Sequence, residues 1–277
     1  MSEDFEVTND PEVVACTIKN MDTCAGMDYV FNEYEIGRGS RISKAGLAEV
    51  LEELDPKVPY QIFFTSHRID FKISSDVIVK CKSVVDRKKL RIFVHTPYLI
   101  NLATDKPYIV SSLQQHLTTA AQCGFKGCVV HVGKSCKQNI NVCLENMRSN
   151  ILKSIEVAIP ECPLLLETPA KQGTEMLTTF EEFTDFVFGI NDPRLGICVD
   201  TCHVFSAGYM PTDYVGRLTN KNNGIAYLKL IHFNDSEKEC NSCTDRHALF
   251  GTGKIPVMEL LNIAFMAQNN DIPMVIE

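Results

Sequence analysis

The 277-residue chain is 45% hydrophobic and carries a net charge of −8. That is ample apolar content for a large core, and the wrong sign for gripping nucleic acid unless something outside the sequence supplies positive charge. No apolar run reaches the ~18 residues of a membrane span, and the acidic opening MSEDFEVTNDPEVV does not read as a secretory signal.

Residues 1 to about 30 show no clear period and read as an N-terminal extension, with 31–277 as one catalytic domain. From there short apolar runs recur: YEIG (34–37), YQIFF (60–64), LRIFVH (90–95), GCVVH (127–131), PLLLE (163–167), LGICVD (195–200), YLKLIHF (227–233) and PMVIE (273–277). Each is short, apolar on both parities and rich in Val, Ile, Leu or Phe, as strands buried on both faces are. Helical spacing fills the intervals. SKAGLAEVLEEL (43–54) opens with Ser43 as a cap and sets Leu47, Val50 and Leu51 on one face. Further helices are expected over 76–89, 112–124 (stopping at Gly124), 142–159, 178–190 and 256–268. Eight strands alternating with about seven helices predict an α/β TIM (β/α)8-type barrel with its active site at the C-terminal mouth, a doubly wound sheet being the alternative. The given sequence ends at Glu277. Either the natural chain continues, or the segment PEVVACTIKNM (11–21) packs beside the first strand and covers the gap there.

The ends of the runs carry the chemistry. His95, His131, Glu167, Asp200, His232 and Glu277 close or nearly close six successive runs, and His203 follows Asp200 by three residues. One such His is ordinarily a hydrogen-bonded core residue, and one such carboxylate a loop cap. Six in succession at one mouth point to a joint function. The long loop after run seven, NDSEKECNSCTDRHALFGTGKI (234–255), adds Asp245 and His247, which an extended segment points the same way. Nine N and O donors are too many for one tetrahedral ion and suit a zinc cluster sharing a bridging carboxylate. His67 and His116 fall outside the pattern and read as structural or surface residues. The twelve cysteines are scattered, as reduced intracellular thiols are. Cys240 and Cys243 form an isolated C-x2-C, and Cys202 reads as a packing residue rather than a ligand.

Four stretches, VHTPYLINLA, LLLETPAKQGTEM, GICVDTCHVFSAGYM and IHFNDSEKECNSCTDRHALFGTGKIP, resemble the motifs of the endonuclease IV family of zinc-dependent apurinic/apyrimidinic endonucleases, in order over roughly residues 90–277. The resemblance implies three zinc ions: one on His95, His131 and Glu167, one on Glu167, Asp200, His232 and Glu277, and one on His203, Asp245 and His247. It implies a monomeric, intracellular enzyme without a membrane anchor. Its substrate would be double-stranded DNA containing abasic sites, cut 5′ to the lesion to leave a 3′-hydroxyl, with Glu167 beside the attacking hydroxide. Three dications against four ligand carboxylates would leave the site at about +2, which answers the charge objection. Tyr98 and Leu99 resemble the family's inserted wedge. Arg68 is a candidate helper of that wedge, and Lys134, Lys171, Arg246 and Lys254 are candidate contacts to the DNA backbone. The rivals are a divalent-metal sugar isomerase or epimerase on a related barrel, and a non-catalytic protein stabilised by zinc.

Overall fold

A computed structural model describes residues 10–19, 21, 23–40, 46–65 and 68–277. Eight parallel strands close into a barrel: β1 (Gly37–Ser40), β2 (Tyr60–Ile62), β3 (Ile92–His95), β4 (Cys128–His131), β5 (Leu164–Glu167), β6 (Leu195–Asp200), β7 (Leu228–His232) and, after the antiparallel pair β8 (Asp235–Ser236) and β9 (His247–Ala248), β10 (Met274–Ile276). β10 closes the ring between β7 and β1.

The intervening helices are α3 (Leu47–Glu53), α4 (Ser75–Lys88), α5 (Pro107–Gln122), α6 (Ile140–Ser154), α7 (Phe180–Ile190), α8 (Thr201–Ala207), α9 (Pro211–Asn220) and α10 (Val257–Asn269), with α1 (Pro11–Ile18) and α2 (Thr23–Glu33) ahead of the barrel. Their ends obey local chemistry. Thr179 and Glu182 form a reciprocal capping box at the start of α7. Gly124, just past α5, takes φ 78°, which only glycine adopts without cost.

Three expectations need correction. The first strand is Gly37–Ser40 rather than 34–37, because Tyr34 and Ile36 are buried in the turn that ends α2. α3 begins at Leu47 with Gly46 as its cap, whereas Ser43, like His67, lies outside the described residues. Two helices, α8 and α9, occupy the stretch after run six, where none was predicted.

The segment ahead of β1 is helical. Asp10 caps α1 by accepting from the Glu12 amide at 2.8 Å, with Pro11 in the first turn. α1 packs against α10, the helix leading into β10, and Gln268 at the end of α10 donates to the Glu33 carbonyl of α2. Val14 is fully buried there. Val14→Ala should therefore cost about 1–3 kcal/mol. Denaturant unfolding checks this, and an unshifted midpoint would mean that α1 does not pack on the barrel.

Candidate metal centre

Phe93, Val129, Leu165, Cys198, Leu230 and Val275 form a cluster of their own inside the barrel, apart from the main core between sheet and helices. Side chains alternate along a strand, so the residue two positions on faces the same interior. Two positions on from these six stand His95, His131, Glu167, Asp200, His232 and Glu277. Strand periodicity thus lifts six donors into one layer at the C-terminal mouth. His95, Glu167, Asp200 and His232 are fully buried.

Glu167 is the hub of this layer. Its Oε2 lies 3.2 Å from His95 Nε2 and 3.6 Å from His131 Nε2. Its Oε1 lies 3.1 Å from His232 Nδ1 and 3.3 Å from His203 Nδ1. His232 Nδ1 is also 3.3 Å from Glu277 Oε2 and 3.7 Å from Asp200 Oδ2. To one side, Asp245 reaches His203 Nε2 at 3.3 Å and His247 Nε2 at 3.2 Å. Among the described residues, three groups have donor atoms within reach of a common ion: His95–His131–Glu167, Glu167–Asp200–His232–Glu277 and His203–Asp245–His247. An overlapping fourth, Asp200–Cys202–His247, corrects the expectation that no thiol is placed as a donor. Burial pushes the Cys202 thiol up to about 12, and it donates to the Arg246 carbonyl.

Protonation follows the packing. Burial favours a neutral Glu167, but the His131 and His232 imidazoles outweigh it and hold the carboxyl well below its usual range. Burial also opposes charge on His203, where Asp200, Asp245 and Glu167 prevail and raise its pKa well above the ordinary histidine value. On His131 burial wins, pushing the imidazole down to about 4. Ring orientation is set by partners outside the cluster. His95 Nδ1 donates to the Thr96 carbonyl at 2.7 Å and His203 Nδ1 to the Thr168 carbonyl at 2.9 Å, so each turns Nε2 toward a carboxylate.

The stretch GICVDTCH leads from strand directly into helix. Asp200 ends β6 and caps α8, its Oδ1 accepting from the His203 amide at 2.8 Å while Oδ2 accepts from Asn234 at 2.7 Å. The cap fixes where His203 starts its turn, so one carboxylate orients two donor groups.

The loop that carries Asp245 and His247 is anchored from beneath by Asp235. Its carboxylate accepts from the amides of Ser236, Gly251, Gly253 and Ile255 at 2.7–3.1 Å. A Cβ on Gly253 would stand 2.3 Å from Asp235 Oδ1, so only glycine permits this approach.

Of the remaining predicted residues, Tyr98 and Leu99 follow β3 and are 61% and 53% exposed, with the Tyr98 ring 5.4 Å from that of His95 and 5.2 Å from that of His131. Arg68, Lys171 and Arg246 are exposed; Lys134 pairs with Glu175 and Lys254 with Glu239. His116 is buried against Phe64 and Phe71, a structural role. Asn234 and Gln61 escaped the sequence reading. Asn234 holds Asp200 and accepts from the Glu277 amide at 3.1 Å. Gln61 touches His232 and Glu277. A polar residue amid the apolar run YQIFF was the available signal for the second.

A family model described as "Xylose isomerase-like TIM barrel" matches residues 60–277. The "Probable endonuclease 4" of Symbiobacterium thermophilum is 31% identical over 227 residues, covering 78% of this chain and 82% of that protein. The crystal structure of endonuclease IV from Thermus thermophilus superimposes with a TM-score of 0.74 at 27% identity, over 88% of this chain and 91% of that one. A D-tagatose 3-epimerase-like protein shares the fold alone, with a TM-score of 0.66 and 21% identity over 87% and 89% of the two chains. The chain belongs to the endonuclease IV family, within the xylose isomerase-like TIM barrels.

Proposed function

We propose that the chain is a zinc-dependent endonuclease that acts, as a monomer, on double-stranded DNA and hydrolyses the phosphodiester 5′ to an abasic site, leaving a 3′-hydroxyl. The observation that carries this reading is the set of three donor groups, two of them sharing Glu167, at the mouth of a barrel of this family. The residues fit zinc. All nine proposed ligands are imidazoles or carboxylates, and the buried His131 Nε2 has no hydrogen-bond partner among the described residues although it faces Glu167, as a nitrogen awaiting a cation would. The ions would be held by His95, His131 and Glu167; by Glu167, Asp200, His232 and Glu277; and by His203, Asp245 and His247. When bound, zinc supplies Lewis-acid polarisation of the phosphodiester and brings the pKa of water toward ~7.

The remaining work falls to the chain's own side chains. A nucleotide without a base has lost its stacking, so it leaves the duplex at lower cost than an intact one. Tyr98 and Leu99, exposed and apolar beside the centre, are suited to fill the gap it leaves. Arg68 would assist that wedge, and Lys134, Lys171 and Arg246 would meet the DNA backbone. Tyr98→Ala should weaken binding to abasic duplex about tenfold or more and leave zinc content unchanged. Equilibrium binding beside metal analysis checks this; a variant that loses zinc yet binds abasic duplex normally would remove Tyr98 from the recognition surface.

A sugar epimerase on the same fold is the competing reading. The group of His203, Asp245 and His247, beyond what a two-ion sugar site uses, favours the nuclease. The deciding experiment counts metal on purified protein and assays cleavage of a duplex containing one tetrahydrofuran abasic analogue. About three zinc ions per chain with cleavage supports the nuclease. Equal cleavage by metal-stripped protein, or none by the zinc-loaded protein, rejects it.

A further inference from the structure

We propose that Gln61 is a positioning residue that dictates which nitrogen of His232 faces the donor cluster, and so holds the second donor group together. The inference rests on the proposed zinc reading of that group and extends it to a residue outside the ligand set.

His232 is oriented opposite to its neighbours. His95 and His203 give their Nδ1 protons to backbone carbonyls and turn Nε2 toward carboxylates. His232 instead turns Nδ1 toward Glu167, Glu277 and Asp200. Its Nε2 points away, 2.8 Å from Gln61 Oε1. A neutral imidazole that offers its Nδ1 lone pair to a cation must carry its proton on Nε2, and that proton needs an acceptor when buried. His232 is fully buried. The amide oxygen of Gln61 is placed to be that acceptor.

The other end of the amide fixes the assignment. Gln61 Nε2 lies 2.6 Å from Glu277 Oε1 and donates to it. A carboxylate accepts only, so the nitrogen of Gln61 must face Glu277 and its oxygen must face His232. Glu277 thereby keeps Oε2 toward the cluster, 3.3 Å from His232 Nδ1. One amide orients two of the four donors in the group. Gln61 is fully buried, so neither of its hydrogen bonds is exchanged for one to solvent.

The test uses Gln61→Met, which keeps the length and removes both polar ends. Zinc-loaded wild type and variant are challenged with increasing EDTA, and the retained metal is counted. The wild type should hold three ions; the variant should release one at roughly 10- to 100-fold lower chelator and keep the other two as the wild type does. Release of all three as in the wild type overturns the proposal. So does equal weakening of all three with a lower melting temperature of the metal-free protein, which would make Gln61 a core-packing residue only. If Gln61→Met does not fold, histidine ring 15N spectra of zinc-loaded wild type decide. A proton on His232 Nε2 supports the proposal, and a proton on Nδ1 overturns it. A wild type that binds no zinc would overturn the zinc reading itself, and this inference with it.

Discussion

Glu167→Ala is expected to abolish incision and to cost the protein more metal than any other single substitution. Glu167 alone belongs to two of the three principal donor groups. Its two oxygens lie within 3.1–3.6 Å of nitrogens on four histidines, His95, His131, His203 and His232. Alanine would leave these imidazoles clustered without the carboxylate they share, with His95, His203 and His232 buried. The first group would be reduced to two ligands and the second to three, so both sites weaken together. Stabilising charge in the transition state is ordinarily the largest catalytic contribution, so the rate should fall by about three orders of magnitude or more. Zinc analysis beside cleavage of the tetrahydrofuran duplex reads both effects. A variant that kept its zinc and cleaved at a tenth of the wild-type rate would reject Glu167 as the bridge.

The second large effect separates the donor groups. His247→Ala should lose about one ion and slow cleavage roughly hundredfold, yet still bind abasic duplex. Of the three principal groups, His247 belongs only to the one formed with His203 and Asp245, at the side of the cluster. It is carried by β9 on a loop, where truncation leaves the strands and their inward layer untouched. Cleavage at the full wild-type rate by His247→Ala would sink the three-ion reading.

The barrel was legible in the sequence wherever burial on both faces made a run predominantly apolar. Runs two to eight all contain barrel strands. The first run misled because the apolar residues Tyr34 and Ile36 pack where α2 ends, while the strand itself is GRGS, with no apolar side chain at all. α8 was illegible for a related reason: all seven of its residues are buried, so it has no polar face and no helical period. α9 is amphipathic, and Pro211 at its start was a usable signal that went unread. The six strand-end donors were readable because strand alternation fixes their facing from sequence alone. Gln61 and Asn234 were not, since their importance lies in what they touch across the barrel, which no local pattern records.

Asp235 bears on how substitutions in this chain are to be interpreted. It lies next to Asn234, is buried, and is conspicuously acidic in a loop that also supplies two candidate ligands. In a mutational scan scored by activity it would rank with the candidate ligands. Its oxygens are nevertheless taken up by four backbone amides, and it belongs to none of the donor groups. Loss of activity on changing Asp235, or Gly253 above it, would report a collapsed loop rather than a missing ligand. The metal-free protein tells scaffold from ligand: changing Asp235 should lower its melting temperature, because four backbone amides lose their acceptor, whereas removing a donor atom weakens metal binding without that loss.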